Sequence, residues 1–351
     1  MSRLFRVAVI GGDGIGPEVV EAAIPAIEKA ALASGGRIAW EQLPYGADHY
    51  LATGETLPDE AFRHLRHDVD AVLVGAMGDP RVPGNEHARD ILLGLRFRLD
   101  LYVNFRPCWL LHPDFCPLKG SPAIDFVIFR ENTEGLYLAR GSSSDVGTPR
   151  EERIAEEVNT APKVSRILRA AFDWAREHGR GRVTMADKSN AIPAHQLWQR
   201  LFREIGEEFS DIEQEHYYID ALAMQLIKRP EHFEVIVTTN MFGDILSDLG
   251  AELVGGLGVA PSANLHPGRV GLFEPVHGSA PKYAGKGVAN PVATMLTGAL
   301  MLEQLGLADA AARLERAVKD VVADGIRTPD LHGRATTTEM ARAVEAALPA
   351  S

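Results

Sequence analysis

An α/β fold with a largely parallel sheet is predicted for this chain by three features of its sequence. Short apolar runs recur along its length and suit strands buried on both faces. Amphipathic stretches of helical period lie between them, and clusters of Gly and Pro punctuate the series.

The elements follow in order. Residues 7–10 form the first strand, and 17–33 the first helix. Residues 69–74, 124–129, 183–186 and Val235–Thr238 read as further strands, with Ala161–Glu177 and 194–205 as helices between them. Segments 78–84, 106–122 and 260–271 read as loops. The last third is helix-rich, with 301–307 and 335–348 expected as helices packed at the surface. No internal repeat or low-complexity segment interrupts the pattern.

At 351 residues the chain exceeds what one core usually supports, so two domains are expected. An apolar fraction of 46% with 24% charged residues describes a folded, soluble protein, and a net charge of −12 disfavours nucleic acid or an anionic membrane as principal partner. Before Gly11 the N-terminus offers only Arg3, Arg6 and the run 7–10, too short for a signal-peptide core. The longest apolar stretch, 292–302, is too short to cross a bilayer. Cys108 and Cys116 are the only cysteines, which excludes a disulfide framework or a thiolate metal cluster. A cytoplasmic location is the expectation.

Chemistry concentrates in a few places. Thr239-Asn240-Met241-Phe242-Gly243-Asp244-Ile245-Leu246-Ser247-Asp248 follows the strand-like run 233–237. On a helix Asp244 and Asp248 stack on one face and repel unless a cation lies between them. Such oxygen-only donors favour Mg²⁺ or Mn²⁺ over zinc. Two solvated helix aspartates are the plain alternative. Arg96, Arg106 and Arg130 each end or follow an apolar stretch, and three converging guanidinium forks would suit a substrate with two or more carboxylates. Gly11-Gly12-Asp13-Gly14-Ile15-Gly16-Pro17-Glu18 follows a strand and opens a helix, but its glycine spacing is not that of the dinucleotide-binding fingerprint. A tight turn with Pro17 at the first helical position and a ligand loop are both open.

Seven ordered motifs connect these points: Gly12-Asp13-Gly14-Ile15-Gly16-Pro17-Glu18, Leu99-Asp100-Leu101-Tyr102-Val103-Asn104-Phe105-Arg106-Pro107, Arg130-Glu131-Asn132-Thr133-Glu134-Gly135-Leu136-Tyr137, Asp187-Lys188-Ser189-Asn190, Tyr218-Ile219-Asp220, Gly243-Asp244-Ile245-Leu246-Ser247-Asp248 and Glu274-Pro275-Val276-His277-Gly278-Ser279-Ala280-Pro281. Over nearly its whole length the chain resembles the β-decarboxylating dehydrogenases, the family of isopropylmalate, isocitrate, homoisocitrate and tartrate/D-malate dehydrogenases. The resemblance implies two domains on a shared, largely parallel sheet with a non-Rossmann nucleotide site. Residues 1–101 and 252–351 would form a discontinuous dinucleotide-binding domain, and 102–251 the domain for substrate, metal and dimerisation. It also implies a homodimer with shared active sites, in which Lys188 and Asp220 serve the neighbouring subunit.

By the same resemblance Arg96, Arg106 and Arg130 clamp the malate carboxylates, with Asn190 and Asp220 also at the substrate. Asp220, Asp244 and Asp248 hold the metal, which lowers the pKa of the 2-hydroxyl. Lys188 takes that proton as hydride leaves for the nicotinamide, and Tyr137 protonates the carbon left by CO₂. His277, Gly278, Ser279, Ala280, Lys282, Tyr283, Asn290 and Asp330 are the candidate cofactor contacts. Lys282 and Tyr283 stand where NAD-using relatives carry an acid and an aliphatic residue, which points to NADP with NAD use remaining; Ala289 before Asn290 follows the NAD pattern. Leu92 and Leu93 precede Arg96 where relatives contact the C3 substituent of malate, and favour an apolar group, as in the 3-isopropylmalate of leucine biosynthesis.

Other features pull elsewhere. Asn132-Thr133-Glu134-Gly135 looks like the isocitrate, homoisocitrate and tartrate branches, the segments around Tyr102 and Cys116 lean toward tartrate/D-malate enzymes, and Arg89 replaces an acid common in isopropylmalate enzymes. Leu92 and Leu93 would also suit a helix core. A regulatory subunit should have lost metal or clamp residues, and a transported-anion receptor should carry an export signal; neither pattern is present.

Overall fold

A computed structural model describes residues 3–349. The chain divides into two compact units. The first takes both ends, up to Leu101 and from Ala251, with Leu110–Ser121; the second takes Tyr102–Trp109 and Pro122–Gly250.

The first unit opens with β1 (Arg3–Ile10), α1 (Gly16–Leu32), β2 (Gly36–Leu43), α2 (Ala47–Thr53), α3 (Asp59–His67), β3 (Ala71–Val74) and α4 (Glu86–Arg98). The second holds β4 (Val103–Trp109), β5 (Asp125–Glu131), β6 (Gly141–Ser144), β7 (Glu152–Ala155), α5 (Ala161–Glu177), β8 (Arg182–Asp187), α6 (Gln196–Gly206), β9 (Glu213–Tyr218), α7 (Ile219–Lys228), β10 (Val235–Thr238) and the start of α8 (Asn240–Val254). The chain then supplies the first unit with β11 (Ala263–Leu265), β12 (Gly271–Phe273), α9 (Val292–Gln304), α10 (Ala308–Ala323) and α11 (Thr337–Ala347).

In the first unit the strands run β2-β1-β3-β12 in parallel, with β11 antiparallel to β12. In the second, β5, β10, β8 and β9 are parallel and β4 is antiparallel to β5. The protein is thus α/β with a largely parallel sheet. The central strands are those whose sequences are almost wholly apolar: every residue of β3 and β10 is buried. Helix α5 covers its strands with Val164, Ile167, Leu168, Ala171, Phe172 and Ala175, a stripe spaced by three and four residues.

Four sequence expectations change. The supposed loop 106–122 begins inside β4, where Pro107 sits opposite Val127 and the polar Asn104 and Arg106 are buried among apolar neighbours. The supposed loop 260–271 contains β11. Residues 301–307 are no separate surface helix: 301–304 are the end of α9 and 305–307 the turn after it, and α9 is buried from Val292 to Leu302 and apolar on all sides because protein surrounds it. Strands β2 and β9, whose apolar residues are interrupted by Arg37, Glu41 and Gln42 and by Glu213, Gln214 and Glu215, escaped the apolar-run criterion altogether. No helix among the described residues is long and apolar enough to cross a membrane.

Candidate active site

Helix α8 follows β10 directly and carries Asp244 and Asp248 one turn apart, as their spacing predicts. Around them the second unit gathers three of the predicted residues. Arg130, at the end of β5 and 1% exposed, donates from Nε and Nη2 to Asn240 Oδ1 at 3.0 and 2.8 Å and from Nη1 to Asp244 Oδ1 at 2.5 Å. Arg106, on the neighbouring β4, donates to Ser247 Oγ at 2.6 Å and lies 3.4 Å from Asp244 and 3.5 Å from Asp248. Tyr137 donates its hydroxyl to Asp244 Oδ2 at 2.8 Å.

This close approach of β5 and α8 needs Gly243. A Cβ there would stand 2.5 Å from Arg130 Cγ, so only glycine lets the arginine stem pass under the helix. Burial pushes the Asp248 carboxyl above its usual range, Arg106 opposes that, and Asp244 adds to it. The two carboxylates remain 37% and 58% exposed, hard oxygen donors open to a cation that would relieve their repulsion. Two carboxylates alone would not complete the coordination of a divalent cation. Among the described residues no three His, Cys, Asp or Glu side chains gather as a metal site, so Asp220 does not join Asp244 and Asp248 within one chain.

Asp220 lies instead against Lys188, whose Nζ donates to Oδ1 at 2.6 Å and holds the carboxyl below its usual range. Lys188 is fixed from behind. Its backbone N–H donates to His195 Nδ1 at 3.0 Å, and the ring's other nitrogen meets Glu157 Oε1 at 3.0 Å. Since Nδ1 accepts, Nε2 carries the ring proton that Glu157 receives. Asn190 is exposed two residues along.

The sequence reading overlooked the groups that shape the connecting loop. Glu131, buried and pushed upward by that burial, accepts from Thr133 N, Thr133 Oγ1 and Glu134 N. Asn240 Nδ2 ties Glu134 O to α8 at 3.0 Å. Segment 132–135 therefore serves to aim Tyr137 and brace Arg130. No spacing in the sequence marks Glu131 or Asn240 for these roles.

In the first unit Arg96, on α4, donates to Glu274 Oε1 at 2.7 Å, and Asn264 Nδ2 holds the same oxygen at 2.8 Å. Leu92 and Leu93, one turn earlier, are both half-buried; Leu92 packs against the core made by Ile10, Leu95 and Leu272, so part of its apolar surface is structural. The loop after β12 carries the cofactor candidates. Ser279 O accepts from Ile15 N at 2.8 Å, which joins this loop to the Gly-rich turn after β1. That turn ends in helix α1 with a proline in its first positions, and its Asp13 is a structural hub: its carboxylate accepts from Ala47 N, Gly78 N and His87 Nε2 at 2.6, 2.6 and 2.7 Å.

His277 sits at the loop's start, its imidazole pushed downward by burial, with Gly278 exposed beside it and Ala280 in the left-handed region at φ 39°. Asn290 Nδ2 donates to Asp330 Oδ2 at 2.9 Å, and Thr328 Oγ1 occupies the other oxygen. Lys282 and Tyr283 are exposed, the ammonium 4.7 Å from the ring centre.

Asp244, Lys188 and the loop of Ser279 all follow the carboxyl ends of strands in an α/β sheet, the place where such folds bind ligands. The sequence profile of the isocitrate/isopropylmalate dehydrogenase family matches residues 6–344, and the chain belongs to that family. It is 43% identical over 348 residues to a Streptomyces avermitilis protein named 3-isopropylmalate dehydrogenase, covering 97% of this chain and 100% of that one. Among solved structures it resembles isocitrate dehydrogenase from Methylococcus capsulatus, with a TM-score of 0.88, 40% identity and coverage of 98% and 99%. It also resembles a β-decarboxylating dehydrogenase from Thermococcus kodakarensis, with a TM-score of 0.81, 36% identity and coverage of 98% and 96%.

Proposed function

We propose that this dehydrogenase oxidatively decarboxylates 3-isopropylmalate, with hydride passing to NADP in preference to NAD. The observation that carries the reading is the cluster on α8, where two buried guanidinium groups and a tyrosine hydroxyl converge on the carboxylates of Asp244 and Asp248.

Each residue has a task in that reaction. Arg106 and Arg130, held in fixed orientations by Ser247 and Asn240, bind substrate carboxylates, and Arg96 does so from α4. Asp244 and Asp248, with Asp220 of the partner subunit, would hold Mg²⁺ or Mn²⁺. A divalent cation there supplies charge that acidifies the substrate hydroxyl. Lys188, backed by Asp220, takes the hydroxyl proton as C2 loses hydride. After CO₂ leaves, Tyr137 returns a proton to C3, and its hydroxyl already points at the site through Asp244.

Leu93, with the exposed part of Leu92, supplies the apolar surface for the isopropyl group. The NADP preference rests on Lys282 and Tyr283, a cation and a phenol free at the surface where a 2′-phosphate would be met. A homodimer is supported by apolar surface in the second unit: Met224, Ile227 and Ile245 are 58%, 45% and 59% exposed, and the hairpin β6–β7 is exposed on every residue. Two isolated strands of this kind are marginal without a surface to pack on.

A second reading, isocitrate as substrate, draws on the likeness to the Methylococcus capsulatus enzyme. Steady-state kinetics on 3-isopropylmalate, D-malate, tartrate, isocitrate and homoisocitrate, with Mn²⁺ and each nicotinamide, separates them. The largest kcat/KM is expected for 3-isopropylmalate with NADP. A larger value for isocitrate would overturn the substrate assignment, and a preference for NAD would overturn the cofactor assignment.

A further inference from the structure

The first unit has a cleft of about 760 Å³ at the opposite end of its strands from the Gly-rich turn and the loop of Ser279. Its rim carries Arg3, Arg66, His67 and Arg269. Arg3 opens β1, Arg66 and His67 end α3 just ahead of β3, and Arg269 precedes β12, so all four gather where these parallel strands begin. The Gly-rich turn and the loop of Ser279 follow the other ends of the same strands. The eight residues of β1 separate the two places by roughly 23 Å.

What sets this cleft apart is that three guanidinium groups line one cavity. The chain carries −12 overall, and elsewhere in the unit Arg81, Arg96, Arg98 and Arg327 each hold a carboxylate. Among the described residues the guanidinium groups of Arg3, Arg66 and Arg269 hold none; Arg3 only covers the Phe5 ring. The one acid in the lining, Asp70, has an oxygen committed to Arg6 N at 2.7 Å. Three exposed like charges are thus collected around one cavity with little local compensation, a positive patch that favours an anion. Helix dipoles account for part of the cluster, because α3 and α9 end here and their carbonyls attract cations. They do not account for Arg3 or Arg269, which lie on no helix.

Below the rim the floor is apolar, formed by Val69, Leu99, Val270 and Leu305 at the edge of the core. We infer that this cleft is a binding site, distinct from the active site, for a small multiply charged oxyanion held by the forks of Arg3, Arg66 and Arg269. Phosphates and polycarboxylates share the geometry that guanidinium matches.

Isothermal titration of the full-length protein at 150 mM NaCl tests this, with inorganic pyrophosphate and citrate as separate arms, since weak surface contacts are screened at that salt. Saturable binding of at least one of them, at one per chain, is expected. The double variant Arg66→Gln, Arg269→Gln should bind it at least tenfold more weakly, with unchanged kcat and thermal midpoint. The arm that binds more tightly identifies the phosphate or carboxylate source. No saturable binding in either arm, or equal binding by the variant, overturns the site.

Discussion

Asp244 is the residue on which the second unit's chemistry converges. Its Oδ1 takes Arg130 and lies near Arg106, while its Oδ2 takes the Tyr137 hydroxyl. Replacing it by Asn keeps the shape and removes the charge that a divalent cation and two arginines require. Arg130 would keep both hydrogen bonds to Asn240 Oδ1, and the side chain is partly exposed, so the fold should hold. Asp244→Asn is therefore expected to lose roughly 100-fold or more in kcat, of the order seen when a charged group that stabilises a transition state is deleted. Mn²⁺ affinity should fall with it, while the thermal unfolding midpoint moves by no more than about 4 °C. Activity and unfolding measured on the same preparation decide it. Full turnover of Asp244→Asn in the presence of a chelator would remove metal from the mechanism.

Between elements, contact depends on where glycine permits it. Gly14 has φ +56°, and a Cβ there would meet Ser279 O at 2.0 Å, a backbone atom with no side-chain freedom to yield. The neighbouring Ile15 N–Ser279 O hydrogen bond is what joins the turn after β1 to the loop after β12 that carries the proposed cofactor contacts. Gly14→Ala should push the two loops apart, destabilise the fold by about 1–3 kcal/mol, and raise KM for the nicotinamide more than it lowers kcat. Gly181→Ala, where a Cβ meets nothing within 4 Å, is the control expected to leave both unmoved. An unchanged nicotinamide KM in Gly14→Ala would separate this turn from the cofactor. The same contrast explains which elements were legible from sequence. β3 and β10 are inner strands, so their apolar runs announce them. β9 lies at a sheet edge and reads Glu-Gln-Glu-His-Tyr-Tyr, charged as exposed edges usually are, and gives no apolar signal. β4 hides its buried run behind Asn104, Arg106 and Pro107. Asp244 and Asp248 could be paired from sequence because a spacing of four puts both side chains on one face of α8. Asn240 and Glu131 could not, because their work is to hold other groups, and no spacing encodes that.

On the scale of the whole molecule, the proposed site residues of the second unit fall into two clusters. Asp244, Arg106, Arg130 and Tyr137 form one cluster, while Lys188 and Asp220 form another, and no three-acid group unites them among the described residues. In the reading proposed above both sets serve one reaction and the site completes itself across two chains, with the exposed Met224, Ile227 and Ile245 as apolar surface for that association. Complementation tests this without any structure of the assembly. Lys188→Ala and Asp244→Asn should each be inactive alone. In a hybrid dimer one site receives the intact Lys188 of one chain with the intact Asp244 of the other, while the second site receives both defects. Co-unfolding and refolding the two variants in equal amounts makes about half the dimers hybrid, each with one working site, so about a quarter of wild-type activity should return. Mixing without unfolding should restore less, in proportion to how slowly subunits exchange. If the refolded mixture stayed as inactive as its parents while each parent had the mass of a dimer, Lys188 and Asp244 would serve the same chain's site, and the shared-site reading would fall.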